Sequence, residues 1–183
     1  MVMEGSDTQP YGNILISGAR TSLLHGIPSA KAVEYGDFIL MDYGCQYHGY
    51  LSDMTRTVIV GKATEKQREV YRLEQRMVSD ATAAMLPGAS VGDVYKASVR
   101  AIVNTPYFPY HYPGIGHGVG LFVHEQPFMG PNGTAVLQPG CIVTIEPGIY
   151  IPGWGGVRIE DQILITKDGN ESLTTANRDL IEL

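Results

Sequence analysis

The sequence predicts an α+β fold whose sheet is antiparallel. Short apolar runs typical of strands come first, two amphipathic segments typical of helices follow, and the chain from about residue 114 onward is again strand-like. The 183 residues contain no repeat of solenoid period and no low-complexity linker. Residues 1–183 are therefore predicted to form a single domain.

The first two predicted strands flank a turn bounded by glycines. FILMD at 38–42 and MTRTVIV at 54–60 are short runs rich in apolar and β-branched residues, and Gly44 and Gly49 lie between them. We therefore expect a hairpin whose turn centres near residues 47 and 48.

Two helices are predicted in the middle of the chain. Thr64 and Gln67 form a capping box that begins the first helix, whose apolar stripe continues to the Pro-Gly pair at 87–88. Ser90 begins the second helix, which is expected to end only at Pro106.

Composition and charge restrict the function classes. The net charge is −6 with no long basic run, so nucleic acid is not an expected partner. The polar start and the lack of any apolar segment of spanning length predict no membrane association. Cys45 and Cys141 have no CxxC spacing, which indicates a reducing compartment or at least no disulfide framework. We expect a soluble, cytoplasmic protein.

Two aspartates at the ends of the predicted hairpin strands are the first candidate metal ligands. With the turn near residues 47 and 48, Asp42 and Asp53 would lie opposite each other on one sheet face. Two adjacent carboxylates repel each other, and a divalent cation between them would relieve the repulsion. Taken singly, an aspartate in a hairpin is more often a turn or surface residue.

Two glutamates and a histidine extend this set to five residues. Glu146 in CIVTIEPGIYI (141–151) and Glu160 in VRIEDQILIT (157–166) interrupt apolar strands, and His117 lies between glycines. Each has an ordinary explanation, but five such coincidences in separate segments favour a metal site. Four carboxylates and one imidazole suit Mn²⁺ or Co²⁺, with Zn²⁺ or Fe²⁺ as alternatives. They exceed the needs of one ion, so we expect two ions about 3.5–4 Å apart sharing an activated water.

Five motifs resemble those of the pita-bread metallopeptidases, which include methionine aminopeptidases, prolidase and aminopeptidase P. The motifs occur in the order found in that family and are HGIPS (25–29), DYGCQYHGYLSDMTRT (42–57), GIGHGVGLFVHEQP (114–127), TIEPGIYI (144–151) and GVRIED (156–161). The resemblance covers the chain from about residue 14 onward. It implies a curved antiparallel sheet with helices on its outer face.

The resemblance also implies a role for each motif residue. Asp42 and Asp53 would bind one metal, with Asp53 also reaching the second, while His117, Glu146 and Glu160 would bind the second metal, with Glu160 bridging.

Catalytic and substrate roles follow from the same resemblance. Glu146 would shuttle a proton to the leaving amine, and His124 would steady the oxyanion. His25 and His124 would contact the substrate, as would Arg158. His117 would also be a catalytic residue, because it would bind a metal that takes part in the reaction.

The VRIED and TIEPGIYI stretches resemble the Xaa-Pro branch, whose substrates are small peptides with proline after the scissile bond. Methionine aminopeptidases normally lack the arginine that stands here as Arg158, and they are the second candidate. A catalytically inactive peptide-binding module and a creatinase-like, metal-independent hydrolase are further alternatives. One departure is Pro113, where the Xaa-Pro branch often has a histidine; His111 lies two residues earlier.

Family enzymes carry an N-terminal domain and further helices before the HGIPS region. Only some two dozen residues precede His25 in this chain. The fold is therefore predicted to be N-terminally truncated relative to the family, as a fragment or with a second copy or another subunit covering the exposed sheet face.

Overall fold

The computed structural model describes residues 1–9 and 11–183 of the chain. Its helices are α1 (Glu65–Ala84) and α2 (Val91–Val99), with short 3₁₀ turns at Val2–Glu4, Gly18–Ser22 and Phe108–Tyr110. The strands are β1 (Ile14–Ser17), β2 (Phe38–Tyr43), β3 (Gln46–Tyr47), β4 (Tyr50–Leu51), β5 (Met54–Ile59), β6 (Gly116–Gly118), β7 (Glu125–Met129), β8 (Ile142–Ile145), β9 (Gly148–Ile151), β10 (Gly155–Arg158), β11 (Asp161–Ile165) and β12 (Asn170–Ser172).

The strands form antiparallel sheets, as the sequence predicts. One sheet has the order β1-β2-β5 and the largest has the order β12-β11-β8-β6-β7. Strands β9 and β10 form a two-stranded sheet, and β3 and β4 form the tip of the hairpin between β2 and β5. All ladders within these sheets are antiparallel, so the α+β prediction is confirmed.

Helix α1 covers one side of the strands with its apolar stripe. Val70, Met77 and Val78 are fully buried and belong to one core with strand residues such as Val143 and Ile145. The predicted capping box is present, because Thr64 accepts from the Gln67 N–H while the Gln67 side chain accepts from the Thr64 N–H. No helix in the described parts of the chain is both long and apolar enough to cross a membrane.

Helix α2 is shorter than predicted. Ser90 caps it through the Asp93 N–H at 3.1 Å, but the helix ends at Val99 rather than Pro106. The Ile102 and Val103 N–H groups both bond to the Val99 carbonyl, so the chain tightens into turns.

The hairpin register differs from the prediction. Asp42 pairs with Thr55, and the turn centres on His48 and Gly49, which both have positive φ (49° and 85°). A two-residue turn with two positive φ angles matches the twist of the flanking strands, which explains the shift of the turn. Because side chains two residues apart share a face, Asp53 still lies on the same face as Thr55 and Asp42.

The two late apolar runs are each broken into two strands. Residues 141–151 divide into β8 and β9 at Glu146, and residues 157–166 divide into β10 and β11 at Glu160. The pieces join different sheets, with β8 and β11 in the five-stranded sheet and β9 and β10 paired to each other. The glutamates therefore lie at junctions between sheets, not within continuous strands as predicted.

Candidate metal centre

Strand ends and junctions bring three predicted ligands together. Asp53 precedes β5, His117 lies in β6 and Glu160 lies between β10 and β11. One ligand atom from each lies within 4.8 Å of the others, and all three side chains are buried. This juxtaposition joins residues from three distant parts of the sequence.

Glu146 and His124 flank this cluster. Glu146 Oε1 lies 3.1 Å from His117 Nε2, and Asp53 Oδ2 lies 3.8 Å from the same nitrogen. The His124 ring packs edge-on against the His117 ring with centroids 4.3 Å apart. The His117 imidazole therefore lies at the centre of the site.

The His117 imidazole is oriented by its own strand. Nδ1 lies 2.9 Å from the Gly118 carbonyl, which can only accept, so Nδ1 carries the proton and Nε2 faces the carboxylates. A Cβ on Gly116 would lie 2.2 Å from the Thr144 carbonyl oxygen, and one on Gly118 would lie 2.3 Å from that of Gln126. Glycines on both sides of His117 thus let β6 fit between its neighbours.

Asp42 lies beside the cluster and is held by Arg158. Its Oδ2 is 2.5 Å from Arg158 Nη2, and both side chains are buried. The guanidinium also donates to Thr55 Oγ1, the Leu24 carbonyl and the Tyr150 hydroxyl at 3.0–3.2 Å. Arg158, which the resemblance assigns to substrate binding, thus has four of its five N–H groups engaged with protein.

Tyr11 is a site residue that the sequence analysis missed. Its hydroxyl contacts Asp53 Oδ1 and lies 3.2 Å from Asp42 Oδ1, so it bridges the two aspartates. Tyr11 precedes β1 and has no apolar periodicity or motif around it, so no local signal could have identified it. Thr55 was also missed, and it donates to Glu160 Oε2 at 2.6 Å.

Electrostatics indicate that the carboxylates of the site carry more negative charge than Arg158 balances. Burial raises the pKa of Asp53 to about 7, and the Asp42 and Glu146 charges add to this while the Tyr11 hydrogen bond opposes it. Burial also raises the pKa of Glu160 well above its ordinary value, with Glu146 and Asp53 contributing. Clustered carboxylates of this kind are stabilised by a cation.

His117 and Glu146 shift each other's pKa values in the directions expected of an imidazole beside a carboxylate. Burial disfavours the charged forms of both His117 and Glu146, but their mutual contact outweighs it, raising the pKa of His117 and lowering that of Glu146. Burial and the neighbouring His117 lower the pKa of His124, so that imidazole is neutral near pH 7.

The donor set fits a divalent metal. Glu160 Oε1 is buried and has no hydrogen-bond partner within residues 1–9 and 11–183, leaving a lone pair directed at no protein donor. Carboxylate oxygens with one imidazole nitrogen suit hard to borderline ions. Asp53, His117 and Glu160 would hold such an ion, with Glu146 and Asp42 adjacent.

A cavity of about 760 Å³ opens beside this centre. It is bordered by all three remaining predicted site residues, His25, His124 and Arg158, together with Asp42, Asp53, His117 and Glu146. Its other walls are largely apolar and include Ile14, Leu24, Ile27, Tyr112, Val123, Phe128 and Met129. A carboxylate-rich centre beside an apolar cavity is the arrangement expected of a metal-dependent hydrolase.

Comparison with known proteins agrees with this class. The chain belongs to metallopeptidase family M24, and the sequence model of that family matches residues 1–167. It is 42% identical over 181 residues to the Xaa-Pro dipeptidase of Pyrococcus horikoshii, covering 99% of this chain and 52% of that protein. It is 40% identical over 183 residues to an uncharacterized peptidase of Bacillus subtilis, with coverage of 100% and 52%.

Solved structures share the fold. The X-Pro aminopeptidase from Thermotoga maritima matches with a TM-score of 0.96 and 32% identity, covering 100% of this chain and 52% of the other. The prolidase from Pyrococcus horikoshii matches with a TM-score of 0.95 and 42% identity, covering 98% and 52%. The predicted pita-bread fold and its Xaa-Pro relatives are confirmed, and the chain spans about half the length of these relatives.

Proposed function

We propose that the protein is a metal-dependent peptidase that hydrolyses the bond preceding proline in small peptides, using two divalent ions, Mn²⁺ or Co²⁺. The observation that carries this proposal is the buried Asp53–His117–Glu160 cluster, with Glu146 against His117, at the base of an apolar cavity. Relatives about 40% identical that are named Xaa-Pro dipeptidase support the substrate class.

In this proposal the five predicted ligands share two ions. Asp42 and Asp53 would hold one, with Asp53 also reaching the other. His117 and Glu146 would hold that other ion, and Glu160 would contact both. Bound divalent ions would supply the Lewis acidity that activates a water molecule as nucleophile at neutral pH. The raised pKa of Asp53 and Glu160 supports this, since a carboxylate cluster without cations resists ionisation.

Glu146 and His124 act on the reacting groups. The Glu146 carboxylate, ionised because its pKa is lowered, accepts a proton from the attacking water at an Oε atom and passes it to the leaving amine. The neutral His124 donates an N–H to the carbonyl oxygen as negative charge develops there. Its position against the His117 ring supports this role.

The cavity walls suit a proline ring after the scissile bond. A peptide bond to proline has no N–H, so the site needs no acceptor for one and gains from apolar walls such as Leu24, Ile27 and Phe128. His25 borders the cavity and would contact the substrate. Arg158 would contact it through its remaining N–H.

The test uses the full chain, stripped of metal and reloaded separately with Mn²⁺, Co²⁺ and Zn²⁺. We expect two ions per chain by elemental analysis, and hydrolysis of Ala-Pro, Met-Pro or a longer peptide with proline second. Glu146→Gln should lower kcat by roughly 10²–10⁴-fold. Glu171→Gln, an exposed residue on β12, is the matched control and should leave kcat unchanged.

Other outcomes select among the alternatives. Cleavage of a methionyl peptide without proline, and of no proline peptide, would identify a methionine aminopeptidase. Peptide binding with no bound ion would identify a binding module, and full activity after metal removal would identify a creatinase-like hydrolase. The cytoplasmic location, the single-domain organisation and a covering subunit or second copy stay predictions from the sequence.

A further inference from the structure

Arg56 lies on β5, next to the site, and is not part of it. Its side chain is buried and points to the face opposite Thr55 and Thr57. All five guanidinium N–H groups have acceptors within 2.9 Å, namely the carbonyls of Asn177, Thr55, Glu160 and Ala176 and the carboxylate of Asp161. The arginine thus connects three stretches of chain at one point.

One of these stretches is residues 174–183, which we call the strap. Its Ala176 and Asn177 carbonyls accept from Arg56, and Arg178 contacts the fully buried Asp161 carboxylate from the other side. Farther along, main-chain bonds join Ile59 to both Ile181 and Leu183. The strap is therefore attached to β5 directly and to Asp161 through two arginines.

A second stretch, beside β5 itself and the strap, carries the candidate ligand Glu160. Residues 159 and 160 lie between β10 and β11 and belong to neither strand, so no ladder fixes them. The Glu160 N–H donates to the Thr55 carbonyl at 3.0 Å, and its own carbonyl accepts from Arg56 Nη1 at 2.6 Å. These two bonds fix the Glu160 main chain, and therefore the position of the Cα atom from which the carboxylate side chain extends.

We propose that Arg56 is a positioning residue for the metal centre. When the strap is bound to Arg56, the arginine is held in place and in turn fixes the position of the Glu160 carboxylate. The inference rests on the proposed metal site and deepens it. Lysine cannot replace Arg56, because an ammonium has three donors without the planar fork that reaches several carbonyls and a carboxylate together. Groups that orient metal ligands change metal affinity by about 10–100-fold when mutated.

The test compares Arg56→Lys with Arg68→Met. Arg68 also holds the strap, through Glu182, but lies on α1 and, within residues 1–9 and 11–183, makes no side-chain hydrogen bond or ion pair with residues 158–161. Titration of Mn²⁺ into the metal-free proteins should show roughly 10–100-fold weaker binding for Arg56→Lys and less than twofold change for Arg68→Met. The visible spectrum of bound Co²⁺ should change only for Arg56→Lys. Urea unfolding gives the stability of each variant, so that binding is compared on folded protein.

A second measurement does not depend on metal. Hydrogen exchange of the Glu160 amide, which bonds to Thr55, should be at least about tenfold faster in metal-free Arg56→Lys than in the wild type or Arg68→Met. Arg178→Met is the milder variant, usable if Arg56→Lys does not fold, and should give smaller changes in the same direction.

Three results would overturn the inference. They are wild-type exchange and Mn²⁺ affinity in Arg56→Lys, equal losses in Arg56→Lys and Arg68→Met, and, where Arg56→Lys does not fold, wild-type exchange and affinity in Arg178→Met. A wild-type chain that binds no Mn²⁺ would refute the proposed function instead, and the exchange measurement would still decide whether Arg56 holds Glu160.

Discussion

The metal-free protein should become less stable as the pH rises from 5 to 7, and Asp53 should account for a defined part of the change. Burial raises the pKa of Asp53 from 3.8 to about 7. Between these values the folded chain keeps a proton that the unfolded chain releases, so the free energy of unfolding falls with rising pH. The stabilisation is complete below the lower pKa and is lost above the higher one.

The magnitude follows from the two pKa values. One bound proton changes the free energy of unfolding by about 1.4 kcal/mol per pH unit. Between pH 5 and 7 the loss from Asp53 alone is therefore about 2–3 kcal/mol. Glu160 and His117, whose pKa values are also raised, act in the same direction, and His124, whose pKa is lowered, opposes them below about pH 6.5. Asp53→Asn keeps the side-chain shape but cannot bind this proton. The free energy of unfolding of this variant should therefore fall less steeply with pH, by the contribution of one proton.

The assay is urea unfolding of EDTA-treated protein at pH 5, 6, 7 and 8, followed by circular dichroism. The neutral control is Asp168→Asn, because Asp168 is exposed and its loss should leave the slope unchanged. A wild-type stability that is flat or rises between pH 5 and 7 would refute the reasoning. So would an Asp53→Asn variant that keeps the full wild-type slope.

Three further predictions concern stability in the metal-free protein, each measured by urea unfolding. Arg158→Met should lower the free energy of unfolding by about 3–5 kcal/mol, because the Asp42 carboxylate is left buried without its charge partner. Adding Asp42→Asn should recover part of the loss. A loss under about 1 kcal/mol in Arg158→Met would contradict this prediction. Glu74→Leu should raise the free energy of unfolding by about 1–3 kcal/mol. Burial raises the pKa of the fully buried Glu74 well above its ordinary value, and the Ile159 N–H and the Arg158 charge only partly oppose this; a destabilised variant would contradict the prediction. The Ala63 N–H and Lys62 lower the pKa of Glu182 to about 2, so the stabilisation from its carboxylate should be present above about pH 4.5 and lost as the pH falls toward 2. In Glu182→Gln the free energy of unfolding should fall less between pH 4.5 and 2. An unchanged fall would contradict the role given to Glu182.

The sequence could predict which residues share the metal face but not how the strands pair. Alternation with period two determines the face, and a shift of two residues leaves it unchanged. For that reason the wrong pairing of Asp42 with Asp53 did not alter the prediction that both face the site. The true pairing of Asp42 with Thr55 depends on the positive φ of His48, which is rare outside glycine and has no strong sequence signal.

Contacts between distant residues account for what the sequence could not predict. Tyr11 reaches Asp53 across 42 residues, and Arg56 reaches the Glu160 carbonyl across 104. No local periodicity or capping pattern encodes such pairs. The breaks at Glu146 and Glu160 were also missed. Pro147 is a signal for the first break, since proline rarely lies inside a central strand, but no such residue marks the break at Glu160. The metal and catalytic roles of the individual residues stay predictions.

The distance in sequence between Arg56 and the strap has a consequence during synthesis. Arg56 and Ala176 lie 120 residues apart, so at about 5–20 residues per second the ribosome makes the second about 6–24 s after the first. Throughout that interval the Arg56 guanidinium lacks its strap acceptors, and for most of it Glu160 has not been made. A nascent chain can therefore form its aspartate hairpin early, but it completes the ligand set only near the end of translation of these residues.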